Sequence, residues 1–494
     1  MNKPSPSLRR LLAIFVLAAL PASLAAAPPV AHGAGPSRGQ LSDEGIAERV
    51  LRFVDVDFLR FEDDLNARRT GAERVPFRVA EPVAVNSTLD RDGTREVLAD
   101  GGTLWRLRVT SPGAVFVSFM LSNVRLPAGA ELRFYSVDRD FETGPYTAAI
   151  NNAFGRFGSP AIPGESAVVE LYVPAGVAFE PSLVVESVSH GYRDFNNFRS
   201  VPFRNGGNDL TPAIEALGAC EVDVNCPEGS GWQADKRSVA RTFDGRFLCT
   251  GQLINNARQD CKNYFLTANH CVSRSQTAAG LVFYWNFENS TCGGSNAPTN
   301  LTTTGAAVRA THTSSDFTLL ELNSAPPVAF NVYYAGFNRS ATAPSSAVAI
   351  HHPTGAAKKI SFENDPVEDG GNFNGGWGGT HWRIVGWDVG TTEGGSSGCG
   401  LWNPSHQIIG QLHGGTADCS GGWDEFGKLS SSWSLGLASW LDPDNSGVVS
   451  VNGKESSTCS GGGGGGGCFP AGQSCSSNAQ CCSSRCDKKT KVCK

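Results

Sequence analysis

The sequence predicts an all-β protein: a pair of antiparallel β-barrels, preceded by a β-rich region and followed by a small disulfide-rich module. Three observations lead to this prediction. Short strand-like segments are separated by turn residues, and Gly alone accounts for 58 of the 494 residues. All 15 cysteines lie at or beyond Cys220. The length leaves room for about three domains.

The first 27 residues are predicted to be a signal peptide. Arg9 and Arg10 precede an apolar run at 11–20, and small residues follow at 25–27, which is the pattern of a secretory signal. The run is too short to span a membrane. A net charge of −6 suggests neither a nucleic-acid partner nor an anionic membrane surface. We therefore expect a secreted, extracellular protein, and we expect a monomer without cofactor or metal.

Residues 28–204 contain no cysteine and are predicted to be a pro-region, β-sandwich-like from about residue 95. Strands are expected at 104–109, 115–119, 131–135 and 168–173, and a helix within 43–61. A permanent binding domain is the alternative. Residues 194–219, rich in Asn and Gly, are predicted to form an exposed linker.

Residues 205–457 are predicted to form the two barrels, with strands at 281–287, 317–322, 348–352 and 408–413 and a closing helix at 431–441. A glycine linker at 458–467 follows. Residues 468–494 carry six cysteines with the C-x6-C-x5-CC-x3-C-x6-C spacing of a knottin. So short a segment needs disulfides to be stable, and its sequence leaves the connectivity open.

Three residue types of a nucleophilic site occur in the chain order His270, Asp316, Ser397. A serine hydroxyl becomes a nucleophile when an imidazole accepts its proton and a carboxylate orients that imidazole. This order differs from those of subtilisins and α/β-hydrolases. The three residues therefore indicate a serine endopeptidase.

Other residues could act as the nucleophile or the base, or could bind a metal. Ser396, in Gly394-x-Ser396-x-Gly398, fits the nucleophile elbow of α/β-hydrolases, but no acid lies between it and the later histidines. His312 is a rival base without a cysteine-anchored loop. His351 and His352 resemble a metal pair, but adjacent strand residues point to opposite faces, so a structural role is expected.

Several ordered motifs make residues 218–457 similar to the lysyl endopeptidase family, bacterial secreted serine proteases of chymotrypsin fold. The main ones are Cys226-Pro227-Glu228-Gly229, Leu266-Thr267-Ala268-x-His270-Cys271, Tyr284-Trp285-Asn286, Ser315-Asp316-Phe317, His351-His352-Pro353, Glu393-x-Gly395-Ser396-Ser397-Gly398, Gly410-Gln411-Leu412-His413-Gly414-Gly415 and Trp440-Leu441-Asp442-Pro443.

The resemblance implies an acyl-enzyme mechanism. It makes Ser397 the nucleophile, His270 the general base and then acid, and Asp316 the residue that holds the imidazole. The backbone N–H groups of Gly395 and Ser397 would form the oxyanion hole.

The resemblance also implies three disulfides, Cys220–Cys419, Cys226–Cys292 and Cys249–Cys271. The chain departs from the family pattern at Cys399-Gly400, and Cys261 is an additional cysteine. Because each would be an unpaired thiol alone, we predict a fourth bridge, Cys261–Cys399.

Asp424 aligns with the specificity carboxylate of the family, and the resemblance places His413, Trp377 and Gly414 beside it as substrate-binding residues. Trp377 would pack on the aliphatic stem of a substrate lysine and His413 would stack with it. A buried carboxylate favours a substrate that brings a cation.

The chain offers evidence on Lys against Arg. Residues 28–204 hold 19 arginines and no lysine, whereas residues 205–457 hold 8 arginines and 6 lysines. A pro-region without lysine would survive beside a Lys-specific enzyme, so we predict cleavage after basic residues with Lys preferred over Arg. Another protease would then remove the pro-region, near Arg199 or Arg204, or the enzyme would cleave slowly at Arg.

The expected partners are protein or peptide substrates and the chain's own pro-region. Two other functions remain open: a trypsin-like protease without strong Lys preference, and a non-catalytic secreted binding protein.

Overall fold

The computed structural model describes residues 45–67, 76–198, 217–373 and 376–459, without the side chains of residues 372 and 376–378. The predicted signal peptide, the knottin module, Arg199 and Arg204 lie outside the described residues. So do most of the linker within 194–219 and the glycine linker beyond Cys459. The prediction of an exposed linker is wrong for its described start, residues 194–198, because Phe195 and Phe198 belong to a buried apolar cluster.

The described residues of the N-terminal domain form twelve strands and one α-helix. They are β1 (Glu48–Val50), α1 (Val56–Ala67), β2 (Phe77–Arg78), β3 (Ala80–Thr88), β4 (Thr94–Val97), β5 (Thr103–Thr110), β6 (Phe116–Arg125), β7 (Glu131–Ser136), β8 (Glu142–Tyr146), β9 (Phe157–Gly158), β10 (Ile162–Pro163), β11 (Ser166–Val173) and β12 (Ser182–Gly191).

Two sheets form this domain, one in the order β1-β5-β11-β7-β8 with β4 on β5, the other in the order β10-β6-β12-β3 with β9 on β6. Their inner faces pack together, as shown by Phe119 and Phe134, whose ring centroids are 5.3 Å apart. The β-rich prediction is confirmed. Strand pairing starts before residue 95, because β3 pairs with β12. The helix starts later than predicted, at Val56, since Glu48–Val50 forms a parallel strand on β5.

In the C-terminal domain, the part of the chain that the structure describes forms nineteen strands and three short α-helices. They are β13 (Val222–Asp223), β14 (Val239–Phe243), β15 (Phe247–Leu253), β16 (Tyr264–Ala268), α2 (Ser275–Ala278), β17 (Val282–Trp285), β18 (Thr302–Thr304), β19 (Ala306–His312), β20 (Phe317–Leu322), β21 (Tyr333–Tyr334), β22 (Gly336–Asn338), β23 (Ala347–His351), β24 (Lys359–Glu363), β25 (Glu368–Asn372), β26 (Gly376–Ile384), β27 (Gly400–Trp402), β28 (Gln407–Gly415), β29 (Asp424–Lys428), α3 (Leu429–Ser432), α4 (Ala438–Leu441), β30 (Ser450–Val451) and β31 (Lys454–Glu455).

These strands form two large sheets, which confirms the predicted pair of barrels. The first has the order β18-β17-β14-β15-β16-β20-β19, and the second has the order β13-β24-β23-β27-β28-β29-β26-β25, with β22 and β30 attached. Each barrel has its own buried core, around Phe265, Phe283 and Trp285 in the first and Trp382, Leu401 and Phe426 in the second. The catalytic candidates lie on segments that connect these strands.

The closing helix is confirmed. α3 and α4 are joined by a π-helical turn at Trp433–Leu437, in which Gly436 has a φ of 137°. Within the described segments, no helix has both the length and the apolar character needed to cross a membrane.

The disulfides confirm three predicted pairs and correct the fourth. Cys220–Cys419, Cys226–Cys292 and Cys249–Cys271 are present. The predicted Cys261–Cys399 bridge is wrong, since Cys261 pairs with Cys459 and Cys399 is a buried free thiol.

The reason lies in the end of the domain. β31 pairs with β21, and Lys454 Nζ donates a hydrogen bond to the carbonyl oxygen of Gln259 at 2.5 Å. This contact returns the chain to the surface loop that carries Cys261. Cys399 instead packs in the core of the second barrel beside Leu401. The domain therefore extends to Cys459, beyond its predicted end.

The N-terminal domain packs directly on the first barrel. Phe116 and Phe195 of the N-terminal domain and Phe243, Leu248 and Tyr284 of the barrel belong to one buried apolar cluster. Phe195 and Phe243 have ring centroids 5.2 Å apart. The two domains thus share one hydrophobic core across their interface.

Candidate active site

His270 and Asp316 are joined by two hydrogen bonds. His270 follows β16 in a loop that the Cys249–Cys271 disulfide ties to β15. Its backbone N–H donates to Asp316 Oδ1 at 3.0 Å, and its Nδ1 lies 2.7 Å from Asp316 Oδ2. An ionised carboxylate only accepts, so Nδ1 carries the proton in this bond. The tautomer leaves Nε2 as the basic nitrogen. In the described part of the chain, Nε2 has no hydrogen-bond partner.

Asp316 has a second imidazole neighbour that extends the site inwards. His413 Nε2 lies 3.8 Å from Asp316 Oδ2, and the rings of His413 and His270 are stacked with centroids 5.9 Å apart. His413 Nδ1 in turn lies 3.0 Å from His381 Nε2. Burial lowers the pKa of His381 to about 3 and that of His413 to about 4. Both rings are therefore neutral at neutral pH.

Ser397 lies on the other side of the Cys249–Cys271 disulfide. Its carbonyl oxygen accepts a hydrogen bond from the backbone N–H of Thr250 at 2.9 Å and lies 3.7 Å from Cys271 Sγ. The two bonded segments, β15 and the His270 loop, thus bring Ser397 to the same face as His270. The Ser397 hydroxyl is not hydrogen-bonded to His270 Nε2, a contact that is often long in the absence of substrate.

The loop before Ser397 is held by hydrogen bonds to its carbonyl oxygens. The carbonyl of Gly394 accepts from the Thr354 N–H at 2.5 Å, and the carbonyl of Gly395 accepts from the Thr250 hydroxyl at 2.9 Å. Among the described residues, neither Gly395 N–H nor Ser397 N–H donates a hydrogen bond. Gly395 has a φ of +95°, and a Cβ there would lie 2.8 Å from a carbonyl oxygen, so glycine is required. Two free donors, two residues apart on one loop, are what an oxyanion hole needs.

Asp424 begins β29 and is completely buried. Its Oδ2 accepts from the Trp387 indole N–H and from the Thr392 hydroxyl, each at 2.7 Å. Both donors are neutral, so they orient the carboxylate while leaving its charge intact. Gly414 lies on the paired strand β28, opposite Glu425 and one residue from the partner of Asp424. The structure therefore brings Asp424 and Gly414 together, as the sequence predicts.

His413 stacks against Phe373, with ring centroids 3.7 Å apart and planes inclined by 19°. Phe373 also approaches Trp423, the neighbour of Asp424, at 6.4 Å. His413 therefore lies between the Asp316 cluster and the surroundings of Asp424. The side chain of Trp377, the predicted stacking partner, lies outside the described residues.

The family models for the lysyl endopeptidase C-terminal and N-terminal domains match residues 214–427 and 65–192 respectively. The chain belongs to the lysyl endopeptidase family. A lysyl endopeptidase of Pseudomonas aeruginosa is 31% identical over 313 residues, which cover 60% of this chain. The chain spans 64% of the length of that relative.

Solved structures of lower similarity also match. A Glu endopeptidase in complex with MPD is 18% identical, with a TM-score of 0.29, over 42% of this chain and 91% of that chain. The active form of the Rv3671c protease from M. tuberculosis is 16% identical, with a TM-score of 0.29, over 48% and 94%.

Ser396, His312 and His352 were the alternative candidates, and the structure shows the surroundings of each. The Ser396 side chain is buried and bonded to His351, away from His270. His312 ends β19 and accepts a hydrogen bond from the Ser314 N–H at 3.1 Å. His352 faces a different part of the core from His351, with its Nδ1 2.9 Å from the Ala356 carbonyl.

Some residues of the site have no signal in the sequence. His381, Phe373 and Trp387 lie on or beside β25 and β26, far from any recognised motif, and only the register of β26, β29 and β28 brings them to Asp424 and His413. Glu221 is another, since both of its carboxyl oxygens are buried without a hydrogen-bond partner in the described chain. Burial, with the nearby charges of Glu393 and Asp424, raises the pKa of Glu221 well above its usual value.

Proposed function

We propose that the protein is a secreted serine endopeptidase that cleaves peptide bonds after basic residues, with Lys preferred over Arg. One observation carries this proposal: the part-buried Asp316–His270 hydrogen bond lies beside a loop whose Gly395 and Ser397 N–H groups have no hydrogen-bond partner among the described residues. A base with a fixed tautomer, a serine and two free donors are the parts that acyl transfer requires.

The geometry supports a two-step reaction. His270 Nε2 accepts the Ser397 proton as Oγ attacks the carbonyl carbon of the substrate, and the N–H groups of Gly395 and Ser397 bind the resulting oxyanion. Each such donor lowers the barrier by about 3 kcal/mol. The imidazolium then protonates the leaving amine, the C–N bond breaks and an acyl-enzyme remains. Water, deprotonated by His270, releases the acid by the reverse sequence.

Asp424 supports the preference for basic residues. Its carboxylate is fully buried and is oriented by two neutral donors, Trp387 and Thr392. A cation that enters this site gains a charge-assisted hydrogen bond in surroundings of low dielectric constant. A neutral substrate side chain would form no such bond with the carboxylate.

The positions of the chain's own basic residues support Lys over Arg. The C-terminal domain, residues 205–457, contains six lysines and eight arginines, all within the described residues. Four of the lysines are buried, whereas one arginine, Arg241, is buried. Each buried lysine forms an ion pair: Lys236–Glu288, Lys358–Glu288, Lys359–Asp223 and Lys428–Asp369. An enzyme that cleaves after Lys would thus find four of its own six lysines protected by the fold, whereas Lys262 is exposed.

The N-terminal domain is proposed to act as an inhibitory pro-region. Its strand β2 pairs in antiparallel register with Phe247 and Leu248 of β15, the strand that continues into Thr250. The ring of Phe77 lies against Gly394, since a Cβ on that glycine would be 3.1 Å from Phe77 Cδ2. Gly394 precedes the first oxyanion donor. An extended segment paired with β15 would prevent a substrate from binding with the residues that follow its cleaved bond.

A buried arginine strengthens this contact between the domains. Arg241 of β14 donates to the Phe195 carbonyl at 2.7 Å and to Asn196 Oδ1, both in the N-terminal domain. Its guanidinium also lies 4.6 Å from the centroid of the Phe195 ring. Removing the N-terminal domain would take these partners away, so the folded precursor gains stability from the pairing.

The activity is tested by covalent labelling. A fluorophosphonate should label Ser397 alone in the folded protein, and Ser397→Ala should abolish both labelling and peptide hydrolysis. Hydrolysis by the Ser397→Ala protein would contradict the proposed nucleophile. The specificity is tested by kcat/KM on matched peptides that differ only in Lys or Arg at the cleaved bond, and equal values would contradict the Lys preference.

The pro-region is tested in a full-length chain that cannot be separated, with Arg199→Gln and Arg204→Gln. This precursor should hydrolyse a short Lys peptide slowly. Phe77→Ala should raise its rate by about tenfold, since losing the contacts of a half-buried ring costs about 1.4 kcal/mol or more. Val97→Ala, on the exposed β4, is the matched control. An uncleaved precursor as active as the separated enzyme would overturn the inhibitory role.

A further inference from the structure

His351 is a completely buried histidine that makes two side-chain hydrogen bonds beneath the nucleophile loop. Its Nδ1 lies 2.8 Å from Ser396 Oγ, and its Nε2 lies 2.9 Å from Ser361 Oγ. Ser396 immediately precedes Ser397. The imidazole therefore connects strand β24, in the second barrel, to the loop that carries the oxyanion donors.

The direction of each bond in this chain is fixed. The Ser361 hydroxyl donates to the Thr391 carbonyl at 2.8 Å, so its oxygen accepts the proton of His351 Nε2. His351 Nδ1 then has a lone pair, which accepts the Ser396 hydroxyl proton. Ser396 Oγ accepts in turn from the Glu393 N–H at 3.2 Å. Burial lowers the pKa of His351 to about 3, so the neutral tautomer that this chain needs is present at neutral pH.

These hydrogen bonds hold one functional segment near both of its ends. In residues 391–397, His351 holds the carbonyl of Thr391 through the Ser361 hydroxyl. It holds the side chain of Ser396 directly. Between these points lie Thr392, which binds Asp424, and Gly395, whose N–H is unpaired among the described residues. One imidazole thus fixes the segment that contains both the pocket wall and the oxyanion donors.

We propose that His351 is a positioning residue that acts through Ser396 to hold the N–H groups of Gly395 and Ser397 in the geometry that binds the oxyanion. This inference rests on the proposed function of Ser397. His351 touches neither substrate nor His270, and its contribution is to the transition state. The carbonyl oxygens of Gly394 and Gly395 are also held by Thr354 and Thr250, so the loss of His351 loosens the loop without collapsing it.

The test compares two amide variants of His351. In His351→Asn the side-chain oxygen falls near the place of Nδ1 and can still accept from Ser396, whereas in His351→Gln the amide falls near Nε2 and cannot. His351→Gln should lower kcat by about tenfold, less than the about 10²-fold or more expected when a whole oxyanion donor is removed. His351→Asn should keep kcat within about threefold of the wild-type value. KM should change little in either variant, because substrate binding precedes oxyanion formation.

Two inhibitors separate positioning from general damage. A tripeptide lysine aldehyde forms an oxyanion on Ser397, whereas hexylamine fills a lysine pocket without a carbonyl. His351→Gln should weaken the aldehyde by the same factor as kcat and leave hexylamine inhibition unchanged. Equal weakening of both inhibitors, or an unchanged aldehyde constant, would overturn the proposal.

A double-variant cycle and a matched control complete the experiment. Ser396→Ala should reproduce the loss in His351→Gln, and the double variant should lose no more than either, because both changes break one contact. Additive losses would contradict a role through Ser396. His352→Gln makes the same change at the adjacent buried residue. In this variant the ratio of the inhibition constants for the aldehyde and hexylamine should equal the wild-type ratio. If the Ser397→Ala protein retains activity, the proposed function fails instead, so the two failures are distinguishable.

Discussion

Asp316 and Asp424 are both buried aspartates, yet their surroundings assign them opposite tasks. Asp316 is contacted by imidazoles, with His270 Nδ1 at 2.7 Å and His413 Nε2 at 3.8 Å. Asp424 is oriented by an indole and a hydroxyl. A carboxylate beside a base can compensate the charge that the base acquires during the reaction. A carboxylate held by neutral donors keeps its charge for a cation that arrives with the substrate.

Asp316→Asn is expected to have the largest effect. The amide can donate to His270 Nδ1 and so favour the wrong tautomer, and an equivalent change in a serine protease triad lowers kcat by about 10⁴-fold. KM for a Lys peptide and inhibition by hexylamine should stay nearly unchanged, because Asp424 is intact. Measured kcat within tenfold of the wild-type value would show that Asp316 does not orient the base.

Asp424→Asn should give the opposite pattern. Removing one partner of a buried charge pair costs about 4 kcal/mol, so kcat/KM for Lys peptides should fall by roughly a thousandfold. Fluorophosphonate labelling of Ser397 should proceed at nearly the wild-type rate, because His270 and Asp316 are unaffected. Unaltered Lys cleavage would place the specificity pocket elsewhere.

Acid should destabilise the fold through the two buried histidines near Asp316. Burial lowers the folded-state pKa of His413 to about 4 and of His381 to about 3, below the value of about 6.5 in an unfolded chain. Between these values the unfolded chain binds more protons, so the free energy of unfolding falls as pH falls. The slope is up to about 1.4 kcal/mol per pH unit for each histidine, or about 3 kcal/mol for the pair.

Urea unfolding at pH 6 and pH 5 measures this slope. The double variant His381→Phe, His413→Phe should have a flatter dependence, since neither phenyl ring titrates. Asp424→Asn should keep the wild-type slope, because these imidazoles do not contact Asp424 in any described bond. Equal slopes in all three proteins would show that the buried histidines do not control acid stability.

How far the sequence could predict this site depends on distance along the chain. His270, Asp316 and Ser397 were identified because residue type and order within short motifs indicate their chemistry. His381 and Phe373 could not be, because β26 reaches His413 only through pairing with β29 and then β28. A strand register of that kind depends on the packing of the whole barrel.

The cysteines show where the family resemblance ends. Cys249–Cys271 and Cys220–Cys419, 22 and 199 residues apart, were predicted correctly because the resemblance implies them. Cys261–Cys459, which joins residues 198 apart, was not predicted, because the chain beyond residue 457 was assigned to the linker. The return of β31 to β21 depends on tertiary contacts that no local pattern encodes.

The smallest expected effect tests whether neutral donors set the orientation of Asp424. Thr392→Val removes one of them with little change of volume, and a hydrogen bond to a charged group contributes about 1.5 kcal/mol or more. KM for Lys peptides should therefore rise by about tenfold, with kcat nearly constant. Thr391→Val is the matched control, because the adjacent hydroxyl is buried without a hydrogen-bond partner in the described chain. If the two variants have the same KM, the orientation of Asp424 does not depend on Thr392. The contrast with Asp316 would then rest on Trp387 alone.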